Sequence, residues 1–105
     1  MEVAGILRRV SAQGGFATVL RKGDKERGSL ILLLSSRGAH KLALERVLNL
    51  DGTYRWERVG PPESASSAEI ASFLAGRTRF DDDLWAIELD IAEPERFIAE
   101  TKLTG

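Results

Sequence analysis

The densest run of groups able to do chemistry extends from Arg77 and Arg79 to Asp81-Asp82-Asp83, with Glu88 and Asp90 close behind. Consecutive carboxylates could hold Mg²⁺ or Ca²⁺, because hard cations take oxygen ligands from short segments, and Asp81 and Asp83 are the candidate ligands. The spacing is not the Asp-x-Asp-x-Asp-Gly pattern that wraps a calcium ion. The competing reading is a helix-to-strand connection. There Arg77 and Arg79 would sit at a helix end, favoured by its dipole, and the aspartates would make turn hydrogen bonds.

A second candidate is the basic first half. Residues 1–60 carry 11 basic and 6 acidic side chains, a net of +5, whereas residues 61–105 carry 4 and 10, a net of −6. Arg21, Lys22, Arg55, Trp56 and Arg58 could form a phosphate-binding face with an aromatic platform for nucleic-acid bases. Against this, the whole chain has a formal charge of −1, which gives little long-range attraction to a polyanion. By alternation Tyr54, Trp56 and Arg58 share a face, so a contact of Arg58 on Trp56 within the protein is the plainer expectation. His40 is the only histidine and there is no cysteine. Thiolate zinc sites, iron–sulfur clusters, cysteine nucleophiles and disulfides are therefore excluded, and no complete catalytic constellation or cofactor motif is present.

The elements that must position these residues follow from periodicity. Val3, Ile6, Leu7 and Val10 make one helical stripe ended by Gly14-Gly15. Alternation from Phe16 to Leu20 predicts a first strand, with Gly23-Asp24 breaking it. Leu30 to Leu34 is apolar without interruption, which predicts a strand central in a sheet or covered on both faces, joined to the first as a hairpin around Gly23 to Gly28. His40 to Val47 predicts a third strand, with His40, Leu42, Leu44 and Arg46 on one face and Lys41, Ala43, Glu45 and Val47 on the other. After the turn signal Asn49-Leu50-Asp51-Gly52, Thr53 to Val59 predicts a fourth. Ser66 with Glu69 forms a capping-box pattern for a helix to about Arg79. Leu84 to Ile91 predicts a fifth strand, and Pro94 starts a short final helix carrying Phe97, Ile98 and Thr101. The expectation is one α+β domain over 1–105, in the order α-β-β-β-β-α-β-α: N-terminal helix, four-stranded antiparallel meander, helix, fifth strand and short C-terminal helix.

That order loosely resembles the core of metal-dependent nucleases of the restriction-endonuclease type. The resemblance would make Asp24 and Glu45 the two carboxylates that bind Mg²⁺. The lysine expected two residues after Glu45 is Val47, so the pattern lacks a key member. A wider resemblance rests on Val3-Ala4-Gly5-Ile6-Leu7-Arg8-Arg9-Val10, Gly14-Gly15-Phe16-Ala17, Val19-Leu20, Lys22-Gly23-Asp24, and above all Arg77 to Trp85 with Ile87-Glu88-Leu89-Asp90. It takes in Leu44-Glu45-Arg46, Tyr54 with Trp56, and Pro94 to Thr101. These look like the small bacterial family catalogued as domain of unknown function 1491. Members more often carry proline where this chain has Asp82, and they begin several residues earlier, so a short first helix is expected. The resemblance implies a soluble single-domain protein of alphaproteobacterial type, and it brings no activity, cofactor or site residue with it.

The longest apolar run is five residues, against about 20 for a membrane span, and no secretory signal or lipidation cysteine is present. A cytoplasmic location is the default. With every catalytic pattern incomplete, the expectation is a non-catalytic binding or regulatory module with no cofactor. Its partner would be a second copy joined through a sheet edge or through the aromatic face of Tyr54 and Trp56, the alternatives being nucleic-acid binding and a metal-dependent nuclease.

Overall fold

A computed structural model describes residues 3–24, 29–93 and 96–97. Two helices, α1 (Val3–Ala12) and α2 (Ser67–Thr78), accompany one five-stranded sheet of β1 (Phe16–Arg21), β2 (Leu30–Ser36), β3 (Ala39–Leu48), β4 (Tyr54–Val59) and β5 (Trp85–Asp90). The strand order is β1-β5-β2-β3-β4. Only β2, β3 and β4 form the antiparallel meander, because β5 lies between β1 and β2, parallel to β2 and antiparallel to β1.

The expected β1–β2 hairpin is therefore overturned, and the contacts that displace it are clear. The chain leaving β1 packs along the segment entering β5: the Asp24 amide donates to the Asp83 carbonyl at 3.0 Å. Arg21 Nη2 donates to the Asp82 carbonyl at 2.6 Å. The Trp85 indole N–H reaches the Asp24 carbonyl at 3.1 Å. The insertion also gives Leu30 to Leu34 a neighbour on each side, which an all-apolar strand requires.

The two helices cover opposite faces of the sheet. Ile6 and Val10 of α1 join Leu30, Leu32, Leu34, Leu44, Trp85, Ile87, Leu89, Ile91 and Phe97 in the larger apolar cluster. On the reverse face Ile31, Leu33, Ala43 and Leu84 pack beneath Ile70, Phe73 and Leu74 of α2. All five residues of the Leu30–Leu34 run are buried, as their pattern predicts.

Local signals explain the helix ends. Gly14 adopts φ +77° after α1, and the Gly15 amide returns to the Val10 carbonyl. Ser66 and Glu69 form a reciprocal capping box at the start of α2. The β2–β3 connection is a two-residue turn with both Arg37 (φ 52°) and Gly38 (φ 80°) left-handed, the backbone form that matches strand twist. Its amides donate to the Asp90 carboxylate of β5 at 3.1 Å each.

Two finer expectations change. A register shift at Lys41 pairs Ser35 with His40 but Leu34 with Leu42, so His40 leaves the face of Leu42, Leu44 and Arg46. The short final helix over Pro94, Ile98 and Thr101 lies outside the described residues. Of that stretch only Arg96 and Phe97 are described, with the Phe97 amide donating to the Glu93 carbonyl.

Candidate interaction surfaces

The acidic connection is held by its own backbone. Asp81 accepts from the Ser29 amide at 3.1 Å and from the Asp83 amide at 3.0 Å. Partial burial pushes its carboxyl up, but the hydrogen bonds from Ser29 and Asp83 and the charge of Arg77 outweigh this, and the net shift is downward. A depressed folded-state value contributes stability fully above the unfolded value and loses it as pH falls through the folded value. Asp81→Ala is expected to cost about 1–2 kcal/mol at pH 7 by stranding two amides. The deficit against wild type should shrink as the pH drops below about 4. Thermal melts of both proteins from neutral to acid pH check this, and a deficit constant across the range would contradict it.

The other acidic candidates are dispersed. Glu45, on the face beneath α2, pairs with Arg77, which lies in the last turn of α2 as expected and reaches from there across to β3. Asp24 follows β1, and β5 and β2 intervene between that strand and β3. Asp83 is exposed on the connection. Among the described residues no group of three or more histidine or acidic side chains is placed to hold a metal ion.

The basic candidates divide in the same way. Arg21 and Lys22 lie at the β1 end of the sheet, and Arg55, Trp56 and Arg58 lie on β4, at the opposite edge. With strands about 4.8 Å apart, four intervals separate them by roughly 19 Å. Arg55 also faces away from Trp56 and Arg58, and it bonds Glu57 and Asn49. The expected contact of Arg58 on Trp56 is replaced: Arg46 lies over Tyr54, 4.2 Å from the ring centroid. His40 is buried, donating from Nε2 to the Pro61 carbonyl at 3.3 Å and accepting from the Ser64 amide through its own carbonyl. It fastens the segment between β4 and α2.

Two ion pairs, Lys41 with Glu63 and Arg77 with Glu45, join the basic and acidic halves of the chain. Only the first sets a cation of the basic half against an acid of the acidic half; in the second the acid belongs to the basic half and the arginine to the acidic half, so together they leave the split of +5 and −6 unchanged. Two adjoining shallow cavities, of about 330 and 300 Å³, flank Ile91 and Ala92 beyond the end of β5. Glu93 lines the first, and Asp90, which lines the second, is already bonded to the β2–β3 turn.

What remains are two surfaces. The first is the open edge of β1, where Phe16 is 76% exposed, Val19 43% and Leu20 45%. The second is the β3–β4 hairpin, where cross-strand pairs segregate by face. Leu44–Arg58, Arg46–Trp56 and Leu48–Tyr54 lie on the α1 side, and Ala43–Val59, Glu45–Glu57 and Val47–Arg55 on the α2 side. Strand parity explains the segregation, since directly opposed residues share a face. Of these residues the sequence alone does not single out Phe16 or Leu48, whereas alternation places Arg46 with Leu44 and Trp56 with Arg58.

Sheet and helices together define a small α+β domain. The family model described as "Protein of unknown function (DUF1491)" matches residues 1–99, and the chain belongs to that family. It is similar to a DUF1491 family protein from Caulobacter crescentus CB15 solved by NMR, with a TM-score of 0.72 and 28% identity over 90% of this chain and 86% of that one. The solution structure of a protein from A. tumefaciens is similar too, with a TM-score of 0.72 and 29% identity over 87% and 82%. No curated protein matches the chain. No helix among the described residues is long and apolar enough to cross a membrane.

Proposed function

We propose that the chain is a non-catalytic binding module of the cytoplasm whose recognition element is the open edge of β1, and that its partner there is a second copy of itself. One contrast carries this reading. The two sheet edges are β1 and β4. β4 is guarded by Arg55, Glu57 and Arg58, whereas β1 reads Phe16-Ala17-Thr18-Val19-Leu20 before its first charge at Arg21. Charged side chains deter edge pairing, and an uncharged, exposed edge invites it.

A twofold axis through Thr18 and normal to the sheet is the symmetric solution, because antiparallel partners must keep the same face outward. It sets Ala17 opposite Val19 of the second copy and Thr18 opposite itself, within the regular part of β1 that ends where the register shifts between Val19 and Arg21. The exposed apolar side chains cover one another, and the free backbone groups pair.

Thr18→Lys tests the reading without disturbing the fold, since Thr18 is exposed and its cross-strand neighbour within the chain is Glu88. In the dimer it would place two ammonium groups face to face, a destabilising arrangement. Light scattering at about 50 µM should give twice the 11.5 kDa chain mass for wild type and the single mass for Thr18→Lys. A wild-type chain that stays monomeric there contradicts the proposal.

A further inference from the structure

We infer that the α1-side face of the β3–β4 hairpin is a docking surface for an acidic amphipathic peptide segment of a partner protein. The inference stands apart from the β1 edge. Its first support is charge. On this face β3 and β4 present Arg46 and Arg58 and no carboxylate, while both of their acids, Glu45 and Glu57, point to the other side. Arg58 is exposed and makes no hydrogen bond or ion pair among the described residues.

The second support is an apolar patch continuous with those cations. Leu48 is 60% exposed, Tyr54 43%, and Leu50 fully so at the tip of the loop. Trp56 is half-buried between them and the core.

The third support is rigidity of the loop that presents Leu50. The Asn49 amide donates to the Thr53 carbonyl at 2.7 Å, and the Gly52 amide to the Asn49 carbonyl at 3.1 Å. Asp51 accepts from both the amide and the hydroxyl of Thr53, which lowers its carboxyl below the ordinary value. Arg55 and Thr53 hold the Asn49 side chain. A fixed loop loses little conformational freedom when a partner covers its leucine.

Aliphatic side chains beside arginines suit an occupant with apolar residues on one stripe and carboxylates flanking it, as in helix-in-groove recognition. Bases would stack on open aromatic faces, but here the Tyr54 ring is covered by Arg46, Trp56 is half-buried against the core, and the most exposed apolar side chains are Leu48 and Leu50. An acidic peptide is therefore favoured over a nucleic acid.

The test is an NMR titration of the isotope-labelled chain. The probe is a synthetic helical peptide of Leu and Glu, compared with its Lys-for-Glu counterpart and with a single-stranded oligouridine. The acidic peptide should shift the amides of Arg46, Leu48, Leu50, Tyr54 and Arg58 saturably, with a Kd of about 100 µM that weakens with salt. Arg58→Glu and Leu50→Ser should each weaken binding by about tenfold with the melting temperature unchanged. Equal binding of the Lys peptide, shifts centred elsewhere, or tighter binding of the oligouridine to this face would each overturn the inference.

Discussion

Gly23→Ala is expected to lower the melting temperature by about 15 °C, the largest effect of any single methyl added to this fold. A Cβ at Gly23 would lie 1.9 Å from the Asp83 carbonyl oxygen, 2.5 Å from its carbon and 2.6 Å from the Leu84 carbonyl carbon. All three obstacles are backbone, so no side chain can swing aside. Relief requires parting the exit of β1 from the entry of β5, which breaks the bonds from Asp24 to Asp83, from Arg21 to Asp82 and from Trp85 to Asp24. Overpacking with loss of these bonds costs about 3 kcal/mol, and each kilocalorie moves the midpoint by roughly 4–8 °C in a domain of this size. Gly76→Ala is the control. It adds the same methyl within α2, where nothing lies within 4 Å, and should stabilise by about 0.5–1 kcal/mol. Circular-dichroism melts compare the two, and a Gly23→Ala protein that melts with wild type would refute the packing of β1's exit against β5's entry.

Leu33→Ala is expected to cost about 3 kcal/mol, as much as Leu32→Ala. In a sheet with one wet face, neighbouring residues of a strand differ sharply, because only one of them faces a core. Here Leu32 lies in the cluster under α1 and Leu33 in the cluster under α2, exposed by 0% and 1%. Truncating either opens a cavity that the surrounding strands cannot close. Urea unfolding should show both midpoints reduced by about 2 M with unchanged slope. A Leu33→Ala midpoint near that of wild type would mean that α2 does not cover β2.

These two expectations mark where the sequence was legible and where it was not. The double burial of β2 is written in an unbroken apolar run, and the start of α2 in Ser66 and Glu69. The place of β5 is not written locally. Alternation of Trp85, Ile87 and Leu89 suits an edge or an interior position equally well, and the choice falls to the approach of Gly23 to Asp83, sixty residues apart in the chain. His40 illustrates a smaller loss, since one extra residue at Lys41 reverses the face that strict alternation assigns. Arg77 was readable as a helix-end cation, but its partner Glu45 is 32 positions away and carries no matching local signal.

The candidate sites fared according to the same physics. Proximity along the chain suggested that Asp81 and Asp83 converge, whereas the short connection turns the Asp81 carboxylate onto backbone amides. The grouping of Arg21 and Lys22 with Arg55, Trp56 and Arg58 assumed that basic residues of one half share a surface, and the sheet order puts them at opposite edges. The contrast between a charged β4 and a β1 uncharged as far as Arg21 was visible in the residues throughout. It acquired meaning only when the strand order made these two the edges.

Hydrogen exchange along β1 tests the central claim most directly. If a second copy pairs with this edge, alternate amides of residues 16–20 must gain partners, and their exchange should slow as the protein concentration rises from about 5 to 500 µM. The β4 amides should not change, and Thr18→Lys should abolish the effect. Exchange along β1 that is fast and independent of concentration would contradict the account.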